Sequence, residues 1–474
     1  MRYKETCKSL VLAGLIVSSL LLAARCWVYG TLAPRQQFSM AGLGTLLQSG
    51  LQGEYASLRY TDARGELIDS LFLPAMVEVR FQDETFSIDR SASQLYEAHT
   101  VVRQDLLAGL PQGHLRVEDS SAQEWEQALQ EEGVWLDFQA DIPFQTYGVL
   151  LGLKDETMEK SDQFSFRWMV VSTGAHAGLY LKESSGEVHR VEVQMMTGVN
   201  VALERLTRLQ QGSGQYVRLD RLEEESLQQA AQQLGLGEEQ RLPQGVVRTR
   251  VLHRENPMAG SQGEEYQAAL LDAFSMNPSN PSRLENSDGS VVYIENFSTL
   301  KFWQDGRAEY RVTGEAHHGV SILSAQNSQD GRLSTAELVA GVYGVLEGLD
   351  HNLLGGDMLG LTLGFAGLWY DSQQQAYQVA FRYQCDGMEI YQQSMADVGG
   401  YAIVAQVQEG YITGLQLQTC TYTDMGLTMP NLRMETVLAG FAAAGQPATE
   451  IRLMYLDTGE ETVATSYLLQ QAVS

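Results

Sequence analysis

The chain has 474 residues, 44% of them hydrophobic, which is enough apolar side chain to build sizeable cores and excludes a disordered stalk. Fifty-nine acidic residues against 32 basic ones leave a formal net charge of -27, which argues against nucleic acid and anionic lipid as partners, since both select a basic face. With 4 cysteines the chain is not a disulfide scaffold.

Residues 9–29 read SLVLAGLIVSSLLLAARCWVY and carry no charge before Arg25. At 1.5 Å per residue, about twenty such residues cross a ~30 Å hydrocarbon core. Arg25 lies close enough to the end to snorkel, and Trp27 and Tyr29 suit headgroup depth. Arg2, Lys4 and Lys8 place residues 1–8 in the cytoplasm and everything after residue 29 outside. Arg25-Cys26-Trp27 after Ala23-Ala24 is not a small-x-small cleavage site, which favours a retained anchor over a cleaved secretory signal. Gly14 with Ser18 and Ser19 with Ala23 are small-x-x-x-small pairs, tentative contacts for a partner helix beside the plainer reading of a simple anchor.

Residues 30–74 read as a membrane-proximal linker. Residues 75–81 alternate as a strand, and 91–110 carry Leu95, Val102, Leu106 and Leu110 near helical spacing. Ser121-x-x-Glu124 is a capping box ahead of a short helix, and the strand 134–140 runs into Asp-Ile-Pro-Phe. Strands follow at 164–172, 177–182 and 187–195, then helices at 199–209 and 222–234. The breaker-dense NPSNPS at 277–282 marks a boundary or long loop. Residues 290–295, 299–302 and 307–312 read as strands, with Asp305-Gly306 as a turn. Ser334-x-x-Glu337 opens a helix with Leu338, Val342, Val345 and Leu349 on one face. Strands at 359–370, 376–385, 401–408 and 411–422, a helix at 432–444 and a hairpin of 450–456 with 462–468 complete the chain. The expected fold class is α+β: a single N-terminal transmembrane helix, then two or three extracellular domains with antiparallel sheets, divided as 75–210, 211–330 and 331–474. Cys385 and Cys420 fall on two strands of the last of these, where a disulfide and two buried thiols are both compatible with the pattern.

Chemical motifs are weak. Ser298-x-x-Lys301 fits the serine-lysine pattern, but on a strand i and i+3 point to opposite faces and no K-T-G follows. His317-His318 has no surrounding ligand cluster in sequence, Asn-Ser-Gln-Asp-Gly at 327–331 lacks the alternating acids of a calcium loop, and Glu223-Glu224-Glu225 suits a solvated helix start. There is no G-x-S-x-G, P-loop or dinucleotide fingerprint. The expectation is no catalytic residue, no cofactor and no metal site.

Two stretches resemble the YycH family, membrane-anchored extracellular regulators paired with an essential cell-wall sensor histidine kinase in Gram-positive bacteria. The first, residues 124–148, carries Ile142, Pro143 and Phe144 like that family's Ile-Pro-Phe turn after a short helix and strand. The second, residues 282–310, is similar to its hairpin with two DG-x-x-x-Tyr strands: Asp288, Gly289 and Tyr293, then Leu300 and Phe302, then Asp305, Gly306 and Tyr310. The resemblance implies a non-enzymatic, single-pass membrane protein with its bulk outside the cell. Its implied partners are the sensor kinase and a sister regulator of the YycI type, and its mode of action is protein-protein contact. The alternative is a cell-envelope enzyme or ligand-binding protein whose cleft shows no linear motif.

Overall fold

Alternating apolar and polar residues build most elements of the computed structural model, which describes residues 70–470 apart from 90–93, 109, 111–115, 154–163, 193–197, 210–215, 220–224, 238, 244–245, 261–262, 277–281, 323–332, 354–360, 386 and 446–449. All of them belong to one unit, Asp62–Ser474. Its N-terminal part is an antiparallel sheet of β1 (Met76–Phe81), β2 (Glu84–Asp89), β3 (Val117–Ser120), β4 (Gly133–Pro143), β5 (Ser165–Ser172), β6 (Gly178–Lys182) and β7 (Val188–Val191). The strand order is β2-β1-β4-β5-β6-β7-β3. The associated helices are α1 (Leu95–Val101), α2 (Ala122–Gln130), α3 (Phe144–Leu150) and α4 (Val199–Arg208). The capping box forms: the Glu124 backbone N–H donates to Ser121 Oγ at 3.2 Å, and the Ser121 N–H donates to the Glu124 carboxylate at 3.0 Å. Two orphan donors are thereby satisfied, and Trp125 and Ala128 of α2 are aimed onto Met76, Trp135, Val170 and Tyr180.

The chain then forms β8 (Tyr216–Arg218), α5 (Glu225–Leu234), β9 (Arg241–Pro243), β10 (Arg248–Glu255), α6 (Gly263–Ala273), β11 (Ser282–Glu285), β12 (Val291–Glu295), β13 (Ser298–Phe302), β14 (Arg307–Val312) and β15 (Val320–Ser321). After α7 (Thr335–Leu353) come β16 (Leu361–Asp371), β17 (Ala376–Cys385), β18 (Met388–Gln392), β19 (Ile403–Gln408), β20 (Tyr411–Gln418) and β21 (Thr421–Pro430). The last elements are α8 (Met434–Ala444), β22 (Glu450–Asp457) and β23 (Thr462–Gln470). One path runs β11-β12-β13-β14-β20-β19-β17-β18-β22-β23-β10-β21, with β15 on β20 and β16 on β17. The β18–β22 pairing is parallel, so the sheet is mixed. Helices α5 and α8 share a core with β22 and β23 through Leu234, Leu242, Leu438, Ile451 and Tyr467.

The expected fold class is corrected on two counts. Among the described residues no helix is long and apolar enough to cross a membrane. The span expected over 9–29, with Gly14, Ser18, Ser19 and Ala23, lies outside the described residues, as does the linker expected over 30–69. The sheets are also not purely antiparallel, because β18 and β22 pair in parallel within the larger sheet. The physical reason is the connection between them: β19, β20, β21 and α8 intervene, long enough for the crossover that a parallel pair needs.

Buried charge ties the two larger sheets together, and β8 and β9 pair as a small third sheet beside them. Arg167 on β5 pairs with Glu450 on β22 and lies 3.4 Å from Asp137 on β4. Arg452 Nε is 2.8 Å from Glu450, its Nη1 is 3.6 Å from Glu389, and Arg382 Nη1 is 3.1 Å from Glu389. Burial opposes the charge on Glu450, yet the Arg167 and Arg452 guanidiniums outweigh it and hold its pKa below the usual value. Nearby, Glu239 accepts from Trp125 Nε1 at 2.9 Å and from Lys182 at 2.6 Å, and Arg241 bonds Glu78 at 2.9 Å. Removing one partner of such a pair strands the other in low dielectric, so the seam fixes how the sheets meet.

Candidate interaction surface

The DG turns serve as anchors for the strands around them. In the first, Asp288 Oδ1 accepts from the Ser290 N–H at 2.9 Å, and Gly289 has φ +78°. Tyr293 on β12 donates to Gln267 at 3.0 Å and meets Phe302 edge-on. Tyr310 on β14 stacks on Phe274 with centroids 4.5 Å apart. In the second turn, Gly306 has φ +94°, and a Cβ there would lie 2.6 Å from Cys420 Sγ and Gln418 Oε1. The Asp305 carbonyl accepts from Arg254 Nη2 at 2.6 Å. Far from these turns, Ile142 and Pro143 close β4, and Phe144 opens α3 with its ring stacked 5.1 Å from Phe164.

The second turn belongs to a buried polar cluster. Arg254 Nε bonds Asp457 Oδ2 at 3.0 Å, the Tyr422 hydroxyl donates to the same carboxylate, and Gln392 lies 2.9 Å from that hydroxyl. Burial and the Asp457 charge push the Tyr422 hydroxyl well above its usual pKa, so it stays a donor. Burial pushes the Cys420 thiol up to about 12, which leaves no nucleophilic thiolate at neutral pH. Cys385 and Cys420 are both buried.

This cluster is the root of an exposed ribbon. Tyr422 and Asn431 are fixed at the two ends of β21. The Asn431 N–H donates to the Val247 carbonyl at 2.8 Å, and its Nδ2 donates to Thr249 Oγ1 at 3.0 Å. Between them, every residue from Thr423 to Pro430 is exposed. Strand β21 ends the sheet path and, among the described residues, pairs only with β10. Arg250 pairs with Thr428 and Leu252 with Asp424, so β21 takes four steps where β10 takes two. Gly426 at φ +70° permits that bulge, and Asp424 Oδ1 accepts its N–H at 2.8 Å. Met425, Leu427 and Met429 are every second residue of the strand, with 43%, 56% and 52% exposure, and Leu432 and Val246 are exposed as well. Arg248 and Arg433 are exposed beside it, as is Arg250, which pairs with Asp424 at 2.9 Å. A long edge with flexible Met and Leu side chains matches what extended or adaptable protein partners recognise.

The motif residues do not assemble into a reactive centre. Ser298 Oγ donates to the Glu295 carbonyl at 3.3 Å, while Lys301 lies over the Trp303 ring at 4.3 Å and 3.9 Å from Asp288. The two side chains occupy opposite faces of β13, as strand periodicity requires. His317 pairs with Glu315 at 3.1 Å, and His318 stacks on Phe297. Sequence reasoning missed β10 and read 411–422 as one strand, so the ribbon went unseen. Asp424 and Gly426 carry turn signals, and the one available clue was the Met-Gly-Leu-Thr-Met alternation beyond them.

No protein-family model matches the chain, and no curated protein matches it. Among solved structures, the crystal structure of YycH from Bacillus subtilis matches with a TM-score of 0.55 at 13% sequence identity, covering 86% of this chain and 95% of that one. The described residues therefore have a YycH-like fold.

Proposed function

We propose that this protein is a non-enzymatic regulator of a two-component sensor histidine kinase, acting by protein-protein contact on the outer side of the cell membrane. The fold likeness to YycH over nearly the whole of that chain is the observation that carries the reading. The β21 ribbon supports it, since Met425, Leu427 and Met429 are exposed on a bulged edge while their root is buried. In the mechanism, the ribbon binds one kinase state more tightly than another and shifts the population by that difference in free energy. A sister regulator of similar build is a second partner for the same kind of contact.

The test is kinase autophosphorylation in reconstituted membranes with and without this protein. A Leu427→Asp, Met429→Asp double variant removes two apolar anchors and adds two charges. Partial burial of each anchor contributes about 1 kcal/mol, so apparent affinity falls ~10-fold or more. Unchanged regulation by the folded double variant removes the ribbon from the mechanism. Absence of any effect of the wild-type protein on the kinase overturns the reading itself.

A further inference from the structure

The β6–β7 hairpin carries a donor set that the regulator reading does not use. Its neck is closed by the Glu183 N–H donating to the Glu187 carbonyl at 2.9 Å, and the Gly186 N–H donates to the Glu183 carbonyl at 3.0 Å. Glu183 and Glu187 therefore face each other across the neck. Lys182 pairs with Val188 in the next row and Leu181 with His189 in the row beyond it; successive side chains alternate faces, so Glu183, Glu187 and His189 share one face. On the far side of β7, β3 places Asp119 directly opposite His189.

The imidazole lies between two carboxylates. Its Nε2 lies 2.8 Å from Glu183 Oε1, and its Nδ1 lies 3.4 Å from Asp119 Oδ1. Phe164 covers the ring at 4.0 Å between centroids, and the His189 side chain is 13% exposed. Donor atoms of Glu183, Glu187 and His189 all lie within 4.8 Å of one another. Among the described residues no lysine or arginine pairs with Glu183 or Glu187; the other side-chain contact is Ser185 Oγ, 3.3 Å from Glu183. Two carboxylates facing each other across a hairpin repel unless a cation joins them.

From this geometry we propose that Glu183, Glu187 and His189 form a binding site for a divalent transition metal of the zinc class. Zinc–nitrogen and zinc–oxygen bonds are about 2.1 Å, so tetrahedral donors sit roughly 3.4 Å apart. The present spacings, from 2.8 Å to no more than 4.8 Å, bracket that value, and the exposed Glu187 side chain swings in to close the set. Nε2 becomes the ligand and Asp119 orients the ring through Nδ1, the carboxylate–histidine–metal arrangement that fixes tautomer and direction. A fourth position stays open to water. Imidazole among the donors selects zinc over calcium or magnesium, which take all-oxygen sets.

The experiment is isothermal titration of the chelator-treated full chain with zinc chloride, with calcium and magnesium chlorides as controls. Zinc binds with a dissociation constant well below 1 mM, while calcium and magnesium at the same concentrations do not. His189→Ala abolishes that binding. Glu187→Gln, at an exposed position that leaves folding intact, weakens it ~10-fold or more, and Asp119→Asn weakens it about 10-fold. His176→Ala leaves it unchanged: His176 bonds Glu131 at 2.6 Å, a histidine–carboxylate pair without a second carboxylate across a hairpin neck. Failure to bind zinc at 1 mM, or binding that Glu187→Gln and His189→Ala leave untouched, overturns the site and reduces the cluster to an ion pair of the fold. Neither result bears on kinase regulation.

Discussion

Tyr422→Phe separates the root of the ribbon from its exposed residues. The substitution keeps the ring and deletes one hydroxyl. That hydroxyl donates to the Asp457 carboxylate and exchanges a hydrogen bond with Gln392 at 2.9 Å. A bond to a charged acceptor contributes about 1.5–3 kcal/mol and a neutral one about 1 kcal/mol, so the expected loss is about 3 kcal/mol. Asp457 keeps Arg254, which confines the damage to the hydroxyl's own bonds. In urea unfolding, an m value of at least about 3 kcal/mol/M turns this into a fall in midpoint of up to ~1 M. Met429→Ser on the exposed ribbon changes stability by less than about 0.5 kcal/mol, because that side chain is half out of the protein already. A Tyr422→Phe loss below about 0.5 kcal/mol refutes the argument that the ribbon is held at a buried, charge-assisted root.

Three further predictions rest on separate features. Burial, and secondarily Arg103, push the pKa of His99 down to about 3, below its value in the unfolded chain. Its stabilising contribution is therefore complete above pH 6.5 and is lost as pH falls toward 3, with a slope of up to ~1.4 kcal/mol per unit. His99→Gln flattens the stability–pH curve between pH 6.5 and 5, above the range where most carboxylates titrate, and an unchanged slope contradicts the assignment. Gly306→Ala places a Cβ into Cys420 and Gln418 at φ +94° and costs about 1–3 kcal/mol in the same urea experiment, against near neutrality if the turn relaxes freely. In a Cys7→Ser, Cys26→Ser, Cys385→Ser background, Cys420 reacts with a thiol reagent only after unfolding, because its thiol stays protonated near pH 8 and buried; fast labelling of the native protein contradicts that.

Local signals account for what the sequence made legible. Ser121 with Glu124, Ser334 with Glu337, and the DG dipeptide at 305–306 act within a few residues, and each forms the cap or turn expected of it. The motif resemblance around Asp305 and Tyr310 pointed to the fold now seen in YycH, although identity to that chain is only 13%. Long-range partners were not legible. Arg167 and Glu450 are 283 residues apart, and nothing near either residue announces the other. Only the strand register sets Asp119 and Glu183 beside His189. Strand β21 was hidden because Gly426 serves a bulge inside an edge strand, where the same residue in sequence reads as a turn.

On the proposed function, the β21 ribbon is the contact with the kinase. Site-specific photo-crosslinking in membranes tests it most directly, with the crosslinker placed at Leu427, at Met429, and at Val201 on α4, which is 68% exposed and serves as the control. Adducts with a sensor histidine kinase are expected from Leu427 and Met429 and none from Val201. Adducts from Val201 with none from the ribbon contradict it.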